Sequence, residues 1–195
     1  MEIKTPRLLL RELVEADAAA ANSYESDPAV VRYQSHAARS LAESQEYIRR
    51  VNQSTLEHTP RRLFDMAVTL CPQPDERREA APDASCGGPL IGRAGLHITD
   101  LQSGQAELWY ILHPAHWGRG YIPEALQGLL RLGFGELGLH RVIIDTDPRN
   151  QASIRVAQKL GMRQEAHLVE NIFLKGEWCD SLIFALLDRE WRVRP

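Results

Sequence analysis

The residues with the clearest chemical potential lie between Ala106 and Ser153. The run Trp117-Gly118-Arg119-Gly120-Tyr121-Ile122-Pro123-Glu124-Ala125 follows an apolar stretch, Ala106–Leu112, and opens an apolar-periodic one. A strand that turns through glycines into a helix start presents unpaired backbone N–H groups, a ready site for an anion such as phosphate. Gly118 and Gly120 let the backbone approach closely, Pro123 gives up an amide the first turn does not need, and Arg119 adds charge. Taken alone, these residues favour the plainer reading, a tight strand-to-helix turn with glycines for geometry. The pattern lacks the Lys-Ser/Thr of a nucleotide P-loop and the third glycine and ribose acid of a dinucleotide fingerprint.

Glu107 is the one charged residue in its apolar strand, either a base facing a cleft or an edge residue facing water. Asn150 follows Asp147-Pro148-Arg149 and precedes a helix, which suits an N-cap, and a cap at a cleft mouth can also bind ligand. Ser153, three positions on, is a hydroxyl in the first helical turn. Asp180 follows an exposed-looking turn, Lys175–Trp178. Trp109 and Tyr110 read as core or cleft wall. His113 and His116 stand three apart around Pro114 with no further ligand nearby, so no metal is expected.

Two stretches resemble the GNAT superfamily of N-acetyltransferases. One is Ala106–Pro114 with Trp117-Gly118-Arg119-Gly120-Tyr121 and Glu124-Ala125. The other is Asn150-Gln151-Ala152-Ser153 with Lys159-Leu160-Gly161-Met162. The segments Thr5-Pro6-Arg7-Leu8-Leu9-Leu10-Arg11 and Gly176-Glu177-Trp178-Cys179-Asp180 are similar to the two ends of the RimJ/RimL-like subgroup, which acetylates ribosomal-protein N-termini. The likeness runs from Thr5 to Trp191.

The resemblance implies acetyl-CoA as co-substrate, without a metal. Its pantetheine arm would lie between strands that splay apart and pair with the backbone of Ile111 and His113, with Leu112 beside them. Trp117, Gly118, Arg119, Gly120, Tyr121 and Ile122 would hold the pyrophosphate, and Asn150 would touch cofactor or substrate. Ser153 is the expected proton donor to the leaving thiolate and Glu107, or water, the base. Two departures stand out. Ile122 puts bulk where the family carries Gly or Ala, and Ala157 occupies the position of a tyrosine donor.

The elements that must position these residues follow from periodicity. Leu8–Leu10 reads as a strand, Glu15–Tyr24 and Leu41–Leu56 as helices, and Phe64–Leu70 as a strand. Cys71–Pro89, poor in large apolar residues, reads as a mobile inserted loop. Strands are expected at Leu90–Ile98 and Ala106–Leu112, a helix at Pro123–Leu137 and a strand at Arg141–Thr146. A helix at Ala152–Leu160 capped by Gly161 precedes strands at Met162–Val169 and Ser181–Leu187. The expected fold is α/β: a central mixed, mostly antiparallel sheet of six to seven strands, splayed at the cofactor site and flanked by about four helices. It forms one domain over residues 5–191.

The 195 residues are 44% apolar and 25% charged, which suits a globular domain. A balance of 23 Lys+Arg against 26 Asp+Glu, net −3, argues against nucleic-acid coating. No apolar run is long enough for a membrane span, and the start lacks a signal-peptide core, so a cytoplasmic address is expected. Three cysteines give neither a disulfide framework nor a zinc spacing. The partner is an amine, a peptide N-terminus or a small amine, and a homodimer is compatible with the sequence. The competing classes are a small-molecule amine acetyltransferase, a CoA-binding regulatory module without turnover, and a phosphate-binding module outside the superfamily.

Overall fold

The computed structural model describes residues 1–57, 59–71 and 88–193. Its centre is one eight-stranded sheet. The strands are β1 (Glu2–Lys4), β2 (Leu8–Glu12), β3 (Leu63–Leu70), β4 (Leu90–Asp100), β5 (Gln105–Leu112), β6 (Arg141–Thr146), β7 (Arg163–Leu174) and β8 (Glu177–Leu187). They run in the order β1-β2-β3-β4-β5-β6-β8-β7, antiparallel throughout except for β5 beside β6.

Helices α1 (Asp17–Glu25) and α2 (Leu41–Glu57) cover one face. Their apolar residues Ala21, Tyr24, Ile48 and Val51 pack on Ala67, Leu90 and Ile111 of the sheet. A capping box opens α2: the Ser40 hydroxyl accepts from the Glu43 amide, and the Glu43 carboxylate accepts from the Ser40 amide. The opposite face carries α3 (Tyr121–Arg131) and α4 (Gln151–Lys159). There Leu126, Leu129, Leu130, Ala157 and Leu160 close over Leu10, Met66, Leu96, Leu108 and Ile144. Strand alternation sends successive side chains to opposite faces, so each central strand feeds both cores.

Four boundaries differ from the sequence reading. Glu2–Lys4 adds an eighth, edge strand by pairing with Leu9–Arg11. The expected helix Pro123–Leu137 is α-helical to Arg131 and then widens, with the Leu137 amide bonding the Leu132 carbonyl five residues back. Gly133 and Gly135 lie in that wide turn, where weak helix propensity lets the spiral open. The last hairpin is longer than expected, because Glu170–Leu174 and Glu177–Asp180 extend it beyond the sheet, where Ile172, Phe173 and Trp178 stay exposed and give no buried, alternating face to mark a strand. A fifth short helix, α5 (Asp188–Arg192), ends the described chain. The expected loop falls almost entirely on residues 72–87, outside the described residues; its two ends meet where the Gly88 amide donates to the Leu70 carbonyl at 3.2 Å.

Candidate active site

The site begins where the sheet opens. Strands β5 and β6 pair only over Gln105–Glu107 and Arg141–Ile143; beyond that β6 pairs with β8 alone. The rest of β5, Leu108–Leu112, therefore borders a gap with no strand opposite.

Which backbone groups face this gap is a matter of phase. The His113 amide donates to the Ile91 carbonyl of β4 at 2.8 Å. Since the direction alternates along a strand, His113 and Ile111 spend their backbone groups on β4. Tyr110 and Leu112 turn theirs to the gap. This corrects the expectation that Ile111 and His113 would offer an edge: the register on β4 shifts that role by one residue, and of the three expected residues only Leu112 has its backbone there. Both gap-side carbonyls are already taken, Tyr110 by the Gln34 side-chain Nε2 at 3.1 Å and Leu112 by the Trp117 indole at 2.8 Å. What remains is a pair of N–H donors.

At the end of β5 a single short turn, Pro114–His116, precedes the glycine loop. Gly118 (φ 73°) and Gly120 (φ 77°) both hold the left-handed conformation, which glycine adopts freely, and Gly120 caps α3. The first-turn amides of Tyr121 and Ile122 have no intrahelical acceptor, and Pro123 has no amide to satisfy. The Ile122 side chain is 6% exposed and packs into the core with Leu126 and Leu129, so most of its bulk turns inward while the residue still lines the trench. The Arg119 side chain is exposed, away from the trench walls.

The N-terminal segment clamps this turn. Glu124 accepts from the Thr5 hydroxyl (2.6 Å), the Arg7 amide (2.8 Å) and the Arg7 Nε (2.7 Å). Burial works against the Glu124 charge, yet these hydrogen bonds carry its pKa below the usual value. Arg7 also donates to the Arg119 carbonyl at 3.1 Å and lies over the Tyr121 ring. The Thr5-Pro6-Arg7 motif is thus the brace of the glycine turn, a function its position in the sequence does not disclose.

Across the gap, Asn150 caps α4 by accepting from the Ser153 amide at 3.1 Å. Ser153 is 7% exposed, and Tyr110 Oη lies 2.7 Å from its Oγ. Tyr110, read from sequence as wall or core, is thereby part of the site. Burial pushes its pKa up to about 12, so the phenol stays neutral. Ala157 is fully buried in the core.

Two cavities meet at these residues. A trench of about 520 Å3 runs over Leu112, Trp117, Gly118, Gly120 and Ile122 to Lys159 of α4. A second cavity of about 230 Å3 lies between Glu107, Asp145, Glu177 and Lys175. Tyr110, Asn150, Ser153 and the segment Arg32–Gln34 line both.

The second cavity holds carboxylates of unequal freedom. Asp147 and Glu177 pair with Arg149, and Asp180 accepts from the Glu170 amide at 2.9 Å and bonds His167 at 2.7 Å. Glu107 has no ion-pair or hydrogen-bond partner among the described residues, and Asp145 has only the Ser181 hydroxyl at 3.2 Å. Burial, and then the Asp145 charge, raises the Glu107 pKa; partial desolvation raises that of Asp145, an exposed residue, against the Ser181 bond. Lys175, at the tip of the β7–β8 hairpin, closes the cavity by donating to the Val31 and Arg32 carbonyls at 2.5 and 3.2 Å.

Beneath the α1–α2 wall lies a charge network. Arg93 (2% exposed) donates to Glu25 at 2.8 Å and Asp65 at 2.7 Å, Tyr47 donates to Asp65 at 2.6 Å, and Arg39 pairs with Glu25 at 2.9 Å. It fastens α1 and α2 to β3 and β4, and with them the segment that carries Tyr33 and Gln34. Its traces in the sequence are Arg93 within β4 and Asp65, the lone charge of β3. His113 and His116 are neighbours in an aromatic row with Tyr24 and Tyr121. Among the described residues no group of three metal-ligating side chains assembles, and no helix is long and apolar enough to cross a membrane.

The same arrangement recurs in known proteins. The Acetyltransferase (GNAT) domain family matches residues 7–163. An uncharacterized N-acetyltransferase, p20, of Bacillus licheniformis is 31% identical over 188 residues, 96% of each chain. A spermidine N(1)-acetyltransferase of Vibrio cholerae is 30% identical over 61% of this chain and 68% of its own. Among solved structures, a GNAT-family acetyltransferase from Bacillus anthracis superposes with a TM-score of 0.79 at 27% identity, covering 97% of this chain and all of that one. With an open β5–β6 gap, a glycine turn at a helix start and a family match over most of its length, the chain belongs to the GNAT acetyltransferases.

Proposed function

We propose that this acetyltransferase carries the acetyl group of acetyl-CoA to the α-amine of a peptide or protein, in the manner of RimJ/RimL-like enzymes. The observation that carries the reading is the meeting of trench and acceptor cavity at Ser153 and Tyr110, with Glu107 also lining the acceptor cavity. The trench fits the donor: unpaired amides at Tyr121 and Ile122 suit a pyrophosphate, and the Tyr110 and Leu112 N–H groups suit an extended amide-bearing arm laid along the strand.

In the ternary complex the amine nitrogen attacks the thioester carbonyl carbon, whose oxygen is polarised by a gap-side N–H of β5. The new C–N bond forms as the C–S bond breaks, and sulfur leaves with the bonding pair. Glu107, with Asp145 beside it, takes the proton from the attacking nitrogen, and Ser153 meets the departing sulfur with its hydroxyl. Glu107's raised pKa matches this task, since a carboxylate nearer neutrality is a better base.

The acceptor assignment rests on acid–base arithmetic. An α-amine has a pKa of about 7.7–8.0 and is substantially neutral near physiological pH, whereas a lysine ammonium near 10.4 is almost wholly charged. A site whose base is the single carboxylate Glu107, or water, handles the first far more readily. A relative in Bacillus subtilis named as a ribosomal N-acetyltransferase, 32% identical over 53% of this chain, agrees with this reading. The acidic lining of the acceptor cavity favours a second reading, a polyamine acceptor, and the spermidine acetyltransferase relative belongs on that side. A thiol-release screen with acetyl-CoA against N-terminal peptides, polyamines, aminoglycosides and amino acids separates the two. No release with any amine would contradict turnover altogether.

A further inference from the structure

Two hydroxyls that share one hydrogen bond leave one proton unspent. Tyr110 Oη and Ser153 Oγ are 2.7 Å apart. Phenol is a much stronger acid than an alkyl alcohol, so Tyr110 donates and Ser153 accepts. The Ser153 proton then needs an acceptor. A serine in a helix often turns its hydroxyl back onto a carbonyl of the preceding turn. No such bond forms here, and Ser153 O–H meets no acceptor among the described residues. Its amide is held by Asn150, and its side chain stands where the trench and the acceptor cavity join.

Tyr110 is itself fixed at both ends. Its carbonyl accepts from Gln34, its phenol reaches α4, and it stays neutral through the working pH range because burial raises its pKa to about 12. α4 supplies no phenol of its own, because the position that would carry it is Ala157, buried in the core.

We propose that Tyr110 is a positioning residue, whose phenol locks the Ser153 hydroxyl so that the serine proton points at the sulfur of the acyl donor. This rests on the assignment of the trench to acetyl-CoA. No full proton transfer along the pair is required. A thiol departs as thiolate without prior protonation and gains from a directed donor. A phenol donating into that donor polarises it further.

The decisive readout is the thiol pKa of bound CoA, followed by the ultraviolet absorbance of its thiolate against pH. It is taken in the wild type, Tyr110→Phe, Ser153→Ala and the double variant. The wild type holds the bound thiol below its value in free CoA. Both single variants raise it, and adding Tyr110→Phe to Ser153→Ala raises it no further. In turnover, Tyr110→Phe lowers kcat about 3- to 10-fold, the size of one neutral hydrogen bond, with KM for acetyl-CoA within about two-fold, and the loss vanishes in the Ser153→Ala background.

Should Tyr110→Phe fail to fold, 3-fluorotyrosine at position 110 keeps the shape and makes a more acidic phenol. It lowers the bound thiol pKa further, and an unchanged value overturns the proposal. CoA bound with the same thiol pKa in wild type and Tyr110→Phe overturns this inference alone. A wild type that does not bind CoA overturns the trench assignment and this inference with it.

Discussion

Replacing Gly120 with valine tests the glycine turn where its backbone is most constrained. Gly120 sits at φ 77°, and a β-carbon built there would come no closer than 3.5 Å to any atom, the nearest being the end of the Arg7 side chain. Steric clash is therefore minor, and the penalty lies in the backbone. A non-glycine residue in the left-handed region costs about 1–2 kcal/mol, with β-branched residues at the upper end. The chain either bears that strain or relaxes Gly120 toward negative φ, which swings the amides of Tyr121 and Ile122 off the pyrophosphate. The second course costs donor affinity: a loss of about 1.4 kcal/mol is ten-fold in Kd. Gly120→Asn separates conformation from chemistry, because asparagine tolerates the left-handed region. Calorimetry with CoA, beside thermal melts of each variant, should show Gly120→Val weakened about ten-fold or more and Gly120→Asn by less than about three-fold. Unchanged CoA affinity in Gly120→Val, or equal damage in Gly120→Asn, would refute the reasoning.

Other outcomes follow from named contacts. In the proposed role Glu107 must be ionised to accept a proton, and burial with the Asp145 charge lifts its pKa, so the acid limb of kcat/KM should lie above the ordinary glutamate range. Asp145→Asn removes the like charge and moves that limb to lower pH; an unmoved limb contradicts the pair. Asp65→Ala strips Arg93 of one of its two buried partners and should cost about 3–5 kcal/mol in urea unfolding; a cost under about 1 kcal/mol would show that the network does not fasten the α1–α2 wall. Glu124→Ala releases Thr5 and Arg7 and should weaken CoA binding several-fold while leaving acceptor KM unchanged, as measured by calorimetry and steady-state kinetics. Replacing Pro72–Gly87 with a short Gly-Ser turn should preserve melting temperature and thiol release, since Gly88 and Leu70 already join the strand ends; lost activity with retained folding would assign the segment to the acceptor site.

What could be read from the sequence was what is local. Asn150 caps α4, and Gly118 and Gly120 take left-handed turns, because such roles depend on a few neighbouring residues. The phase of β5 was not legible: a period of two is visible along Ala106–Leu112, but which half faces the gap depends on pairing with β4, and the expectation fell one residue off at Ile111 and His113. Long-range partners were equally hidden. Arg7 meets Glu124 and Arg93 meets Glu25 across 117 and 68 positions, and Tyr110 meets Ser153 across 43. Asp145 gave no signal because it is an exposed residue of β6, and its place on the cavity wall is set by elements distant in the sequence. The hairpin tips of β7 and β8 carry few core side chains, so hydrophobic periodicity could not reach their ends.

The central claim is acetyl transfer to an α-amine at the junction of the two cavities. Its most direct measurement is mass spectrometry of peptides incubated with protein and acetyl-CoA. One peptide carries a free N-terminus and an internal lysine, and its twin is blocked at the N-terminus. The account predicts one acetyl group on the α-amine of the first peptide and none on the second. Acetylation of the blocked peptide at an equal rate, or of spermidine with both peptides untouched, would contradict it.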